Sequence, residues 1–343
     1  MNGSTRSMLT VVTIGSDHAA RMTTATLLSR GSRVSGGGDK MVDSCSGRVA
    51  LVTGASRGGT GTAIAVRLAA EGADVAVTAR TVAGLEECRD RILALGRRCV
   101  VLPADMGDPE ARATLVSRAE AELGDVDILV NSAAIGGYKP FEEWSAEALN
   151  HMMQVNLWGP WQLMTHVIGS MRERGRGAIV NLTSFSGEYP PGPPFPSNRP
   201  AKSGAAYGAS KAALNRLTIA VASECEGQGI SVNALTPQAA IATPALASAG
   251  WIDQVMFEPL ETMAEAALAL ITGDPAVLTG RIAFSLQLLL ELQRPVHDLD
   301  GRDLVDGWQP RDLRTAIERQ AANLESRGWM APFDFRRRSS PTP

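Results

Sequence analysis

The chain has 343 residues, a formal net charge of −3, and 44% hydrophobic and 20% charged residues. Those fractions are ordinary for a globular protein with a large core, and the weak acidic balance, with no basic stripe interleaved with aromatics, speaks against nucleic acid as a partner. No apolar run approaches the ~20 residues of a membrane-spanning helix, and Cys45, Cys88, Cys99 and Cys225 lack the paired spacing of a metal site or disulfide framework, so a cytoplasmic protein with reduced thiols and no metal is expected.

Residues 1–46 are rich in Ser, Thr and Gly and carry Arg6, Arg21, Arg30 and Arg33 against few acids. They read as a flexible leader. Two explanations stand: an Arg- and Ser-rich organelle transit segment, or a true start at Met41, which is the reading adopted.

From Gly47 the pattern alternates between strand and helix. Val49–Val52 is a short β-branched run, followed by the glycine turn Thr53-Gly54-Ala55-Ser56-Arg57-Gly58-Gly59-Thr60-Gly61 and an Ala-rich helix through Ala70. Such a turn lets the backbone approach a pyrophosphate, whose charge the free N–H groups of the helix N-terminus stabilise. Further strands are predicted at Asp74–Thr78, Arg98–Pro103, Val126–Val130, Ala178–Leu182, Ser231–Leu235 and Arg281–Ser285, with helices between them. Alternation of this kind predicts a parallel sheet covered by helices on both faces.

Beyond the strand Ala178–Leu182 comes Ser184, and then Tyr207-Gly208-Ala209-Ser210-Lys211 at the start of an apolar-periodic stretch, Ala205–Cys225. If that stretch is helical, Tyr207 and Lys211 share a face, and an ammonium beside a phenol favours the phenolate. An exposed helix-face pair is the alternative for these two residues alone.

Taken together, these motifs resemble the short-chain dehydrogenase/reductase family in its ordinary, non-extended branch. They are the Thr53-Gly54 turn, Asp105 after the third strand, Asn131-Ser132-Ala133-Ala134 after the fourth, Asn156, Ser184, Tyr207 with Lys211, and Pro237 to Thr243. The resemblance spans about 47–290 and implies a single doubly wound Rossmann domain with a parallel seven-stranded sheet. It also implies hydride transfer between a nicotinamide cofactor and a carbonyl or alcohol. The family's catalytic tetrad would fall on Asn156, Ser184, Tyr207 and Lys211. Tyr207 would move the proton, Ser184 would orient the substrate oxygen, Lys211 would lower the phenol pKa and hold the nicotinamide ribose, and Asn156 would support a water chain. For Asn156 a plain helix-face amide is the alternative. Cofactor contacts would come from Thr53, Gly54, Ser56, Arg57, Gly58, Gly61, Thr78, Arg80, Asp105, Asn131, Ala133, Tyr207, Lys211, Pro237 and Thr243. The strand Asp74–Thr78 is followed by Ala79-Arg80 with no acid to meet a ribose 2′-hydroxyl, so NADP(H) is expected in preference to NAD(H), which stays possible. Pairing of the long helices Ala146–Arg172 and Ala205–Cys225 across a two-fold axis would give a homodimer or homotetramer.

Four departures from the family pattern stand out. Thr60 takes the place of the usual third glycine, and Gly61 carries that glycine after one inserted residue. The usual Asn-Asn-Ala-Gly is Asn131-Ser132-Ala133-Ala134. A Pro-rich insertion, Tyr189–Ser203, separates Ser184 from Tyr207, and Pro237-Gln238 replaces the usual Pro-Gly with a spacing similar to hydroxysteroid dehydrogenase-like members, hinting at an apolar substrate. Tyr138, Trp158 and Phe195 are candidate substrate contacts, with core packing for Trp158 and a surface loop for Phe195 as the alternatives. After Leu290 the family pattern stops. Residues 291–343 form an extension of unassigned role, with one helix predicted over Asp312–Ser326.

Two other functions are weighed. Gly54-Ala55-Ser56-Arg57-Gly58 satisfies the Gly-x-Ser-x-Gly elbow of α/β-hydrolases, with Ser56 as nucleophile and His297 as base, but that elbow normally follows several strands. A non-catalytic nicotinamide sensor on the same fold needs no proton donor, and the four tetrad residues would then go unexplained.

Overall fold

Alternating residues along each predicted strand are apolar on both sides, and this pattern decides the architecture in the computed structural model, which describes residues 43–188, 204–243 and 257–326, with side chains to 322. In chain order the main elements are β1 Val49–Thr53, α1 Thr60–Ala70, β2 Asp74–Thr78, α2 Val82–Ala94, β3 Cys99–Val101, α3 Pro109–Ala113, α4 Leu115–Leu123, β4 Val126–Asn131, α5 Ala146–Met153, α6 Gly159–Arg174 and β5 Gly177–Leu182. They continue with α7 Ala205–Glu224, β6 Ile230–Thr236, β7 Ala240–Ile241, β8 Phe257–Glu258, α8 Leu260–Thr272, β9 Ile282–Phe284, α9 Ser285–Glu291 and α10 Pro310–Ser326.

Seven strands form one sheet in the order β3-β2-β1-β4-β5-β6-β9, and every pairing is parallel. With a side-chain period of two, Ala50, Val52, Val75, Val77, Ile128 and Val130 enter the core beneath α1, α2 and α8, while Val49, Leu51, Ala76 and Leu129 enter the core beneath α4 and α6. The sheet is thus buried on both faces, as the doubly wound reading requires. Strand order reverses between β1 and β4, which opens a crevice at the carboxyl ends of those strands.

Three boundaries differ from expectation. The leader was expected to run to residue 46, yet Cys45 is fully buried and Ser44 Oγ bonds Glu71 at 2.5 Å, so 43–46 belong to the folded domain. Their short apolar content hid this, because one buried thiol makes no periodicity. The single long helix Ala146–Arg172 is two helices joined by a π-helical turn, Gln154–Trp158. The extension after 290 joins the core as well: α10 packs on α9, and its Leu313, Ala316 and Ile317 are buried in the same cluster as α1 and α8. It is pinned by Glu265, fully buried, which pairs with Arg67 at 2.8 Å, Arg294 at 3.3 Å and His297 at 3.1 Å. Residues 1–42, the insertion 189–203 with Phe195, and 327–343, for which expectations were stated above, lie outside the described residues. Among the described residues no helix is long and apolar enough to cross a membrane.

Candidate active site

The crevice is built first by glycines. Gly54 and Gly58 have φ of 71° and 59°, a region open to glycine at little cost. A Cβ on Gly54 would meet the Ala133 backbone at 2.8 Å, and one on Gly61 would meet the Gly54 carbonyl at 2.5 Å. Gly61 therefore takes the close-packing place, and the extra residue is absorbed at Gly59-Thr60, where α1 begins. Thr78 accepts Gly54 N–H at 2.8 Å and Ala55 N–H at 3.3 Å through its carbonyl, while Thr53 Oγ1 accepts Ser132 N–H and Ala133 N–H, each at 3.0 Å.

A cleft of about 180 Å³ lies above this turn, lined among others by Gly54, Ser56, Arg57, Arg80, Asp105, Met106 and Ala133. Arg57, held at φ 66°, and Arg80 are both exposed and have no carboxylate partner among the described residues. Gly59 caps α1 without a side-chain hydrogen bond, so no cap side chain occupies the first N–H groups of the helix that follows the turn. Two unpaired guanidiniums and a helix N-terminus suit a phosphorylated dinucleotide. Thr53, Thr78 and Asn131, expected at the cofactor, are buried behind this surface instead. Thr78 is fully buried, and the Asn131 amide donates to Asn181 Oδ1 at 2.8 Å inside the sheet. Asp105 lines the cleft while its Oδ1 accepts Gly107 N–H at 2.8 Å.

The residues expected to transfer a proton sit where β5 releases its chain and at the start of α7. A Cβ at Gly208 would collide with the Ser186 carbonyl, so glycine there lets the loop after β5 lie directly on the helix. Ser184 thereby reaches Tyr207, whose phenol it hydrogen-bonds, and Ser184 Oγ also accepts Ser186 N–H at 3.2 Å. Burial pushes the Tyr207 phenol up to about 12, with Tyr138 adding to the rise and the Ser184 bond opposing it. Lys211 is almost fully buried, donates to the Leu182 carbonyl at 2.8 Å, and is drawn down to about 8 by desolvation. The expectation that Lys211 lowers the phenol pKa is not met in this geometry. Its ammonium lies 5.8 Å from the Tyr207 ring centroid and is engaged by a backbone carbonyl, so burial of the phenol dominates.

Asn156 is not a helix-face amide. It lies in the π-helical turn, fully buried, and its side chain accepts Ile135 N–H at 2.8 Å and donates to Ile135 O at 2.9 Å and Ser210 Oγ at 3.0 Å. Ser210 in turn donates to the Tyr207 carbonyl at 2.7 Å, which ties the turn to α7. Sequence reasoning missed Ser210, and it missed Arg112, a buried guanidinium that bonds Met106 O at 2.5 Å, Gln154 O at 3.3 Å and Gln162 Oε1 at 2.9 Å. An isolated arginine on a short helix gave no signal of either contact.

Of the substrate candidates, Tyr138 packs edge-on against Tyr207, ring centroids 6.0 Å apart at 66°. Trp158 is placed elsewhere: it is 42% exposed and stacks edge-on with Trp161, on an outer helix face. Pro237 and Thr243 follow β6, and the Thr243 methyl comes within 3.9 Å of where a Cβ on Gly59 would stand, so this segment meets the glycine turn. The hydrolase alternative loses its base, because His297 is bound to Glu265 in the packed extension.

Residues 48–250 match the family model described as short chain dehydrogenase. A ketoacyl reductase, HetN, from Nostoc sp. is 33% identical over 191 residues, 56% of this chain and 63% of that protein, so the chain spans less than two thirds of that relative's length. An acetoacetyl-CoA reductase from Allochromatium vinosum is 31% identical over 243 residues, 68% of this chain and 94% of that protein. A metagenomic short-chain oxidoreductase solved in complex with NADP is 29% identical, with a TM-score of 0.59 over 70% of this chain and 97% of that one. With the family model matched over more than half its length and this geometry at the strand ends, the chain belongs to the short-chain dehydrogenase family.

Proposed function

We propose that the protein is an NADP-preferring oxidoreductase that interconverts a small-molecule carbonyl and its alcohol. The observation that carries the reading is the Ser184–Tyr207–Lys211 group at the end of β5, a neighbour in the sheet of β4 and so near the point where strand order reverses. The bound nicotinamide would supply or accept the hydride at the substrate carbon. Tyr207, protonated at neutral pH, gives its phenol proton to the carbonyl oxygen in reduction. Ser184 donates a hydrogen bond that orients that oxygen and stabilises its developing charge. Lys211, drawn toward neutrality by burial, is a proton source for the phenolate that remains. Arg57 and Arg80 hold the 2′-phosphate, and Asn156 acts through Ile135 and Ser210 rather than on the substrate. Tyr138 forms one wall beside the reacting group. The names of the reductase relatives, which act on ketoacyl and acetoacetyl groups, favour a carbonyl of that kind. Consumption of NADPH with a panel of ketones and 3-oxoacyl thioesters tests the assignment.

The assembly belongs to the same proposal. Leu149, Trp158 and Trp161 on α5, the π-turn and α6, and Ile219 on α7, are each at least 40% exposed. Exposed aromatic surface of this size marks a contact face. We expect a homodimer or homotetramer using these helices, and Trp158→Ser with Trp161→Ser to shift the mass found by light scattering toward the monomer. A wild-type monomer at micromolar concentration contradicts it.

A further inference from the structure

Glu258 is fully buried, yet among the described residues it has no cationic partner. Its neighbours are the segment after β6 and the helices α8 and α9. Ala239 N–H donates to Oε1 at 3.1 Å, Ser285 Oγ lies 3.0 and 2.8 Å from the two carboxyl oxygens, and Thr262 Oγ1 lies 2.9 Å from Oε2. Ser285 Oγ also accepts Gln238 N–H at 2.9 Å, and the Glu258 carbonyl accepts Ala242 N–H at 3.1 Å. Two contacts thus bind Ala239 and Ala242 to this residue directly, and a third binds Gln238 to it through Ser285; the next residue, Thr243, is the one that abuts the glycine turn.

Counting protons sets the two forms of the carboxyl apart. Thr262 Oγ1 lies 2.8 Å from the Pro259 carbonyl and 2.9 Å from Oε2, and its single proton can serve only one of the two. With the Thr262 proton on Pro259, a protonated Oε2 donates to Thr262 Oγ1 and Oε1 accepts from Ala239; Ser285, 3.0 and 2.8 Å from the two oxygens, and the Gln238 N–H favour the ionised form. A neutral acid serves both Thr262 and Pro259, whereas an ionised one leaves one of them short. Burial accordingly pushes the carboxyl up to about 7, against the pull of its hydrogen bonds. The other carboxylates of α8 do not alter this: Glu261 is half-buried, and Glu265 is committed to Arg67, Arg294 and His297.

Resting on the oxidoreductase reading above, we propose that Glu258 is a positioning residue of the cofactor site, which as a neutral acid holds Gln238–Thr243 against the glycine turn and on ionising loosens that segment and nicotinamide-cofactor binding. The folded-state value lies above that of the unfolded chain. The contribution of the neutral acid is therefore full below the ordinary glutamate value and is lost as pH rises through about 7.

Glu258→Gln copies the neutral acid, with Nε2–H in place of the carboxyl proton. The full-length protein is titrated with NADPH at about pH 6 and about pH 8.5, and wild-type affinity is expected to fall roughly tenfold or more between them as the binding-competent fraction shrinks. The Gln variant keeps the wild-type affinity of the lower pH at both, and its melting temperature falls less with pH. Adenosine 2′,5′-bisphosphate carries the same titrating phosphate without the nicotinamide half, and its affinity should respond to pH alike in both proteins. This comparison also decides the matter on the wild type alone, since NADPH must lose more affinity than the bisphosphate. Equal pH responses of NADPH binding in wild type and variant overturn the role of Glu258 and leave the oxidoreductase reading intact. Failure of the wild type to bind NADPH or NADH at either pH overturns both.

Discussion

Tyr207→Phe is expected to lower turnover by about 10²–10⁴-fold, the range of a lost general acid, while NADPH affinity stays within about threefold. The ring is retained, and with it the edge-on contact to Tyr138; only the group that bonds Ser184 and gives up the proton is removed. The buried phenol, at about 12, is a proton donor throughout the neutral range, so nothing else at this position replaces it. Lys211→Ala is expected to reduce both turnover and affinity, because it removes the ammonium that closes the end of β5 through Leu182. Steady-state kinetics with a parallel cofactor titration separates the two variants. Equal, mild losses in both would contradict the roles given to them.

Arg80→Ala is expected to weaken NADPH by about tenfold or more and to change NADH little. A charge-assisted hydrogen bond is worth about 1.5–3 kcal/mol, and each 1.4 kcal/mol is a factor of ten. Arg80 lines the cleft, is exposed, and has no acid to satisfy within the described residues, so a ribose 2′-phosphate gives it a partner that a 2′-hydroxyl does not. Arg57→Ala should act in the same direction, since φ 66° at that position costs arginine and alanine alike. Competitive binding of the two cofactors to wild type and the Arg80 variant reads the effect, and equal weakening of both would remove Arg80 from the phosphate contact.

Much of the fold was legible because a doubly wound sheet writes its layers into local pattern. β1, β2, β4 and β5 are short runs apolar on both sides, and β1 and β2 are each followed by a short turn and a helix. What local pattern does not carry is where a polar side chain points. Asn131 and Thr78 stand at strand ends, as cofactor contacts would, yet Asn131 reaches across the sheet to Asn181, and Thr78 is covered by the turn that its carbonyl holds. The Tyr207–Lys211 spacing correctly set two groups on one helix, but the charge balance between them depended on burial. That was decided by the loop after β5 lying on Gly208, a contact that no periodic pattern announces. The extension after 290 was opaque for a related reason: α10 is mostly polar, and its few buried residues join the core by packing on α9, across a connection that carries no periodic pattern.

The most direct measurement is the absorbance of reduced nicotinamide when purified protein, NADPH and a carbonyl panel are mixed. Substrate-dependent oxidation of NADPH, faster than that of NADH and abolished in Tyr207→Phe, is the expected result. Tight NADPH binding with no oxidation of it by any carbonyl, and no reduction of NADP by the matching alcohols, would contradict the account and make the protein a sensor.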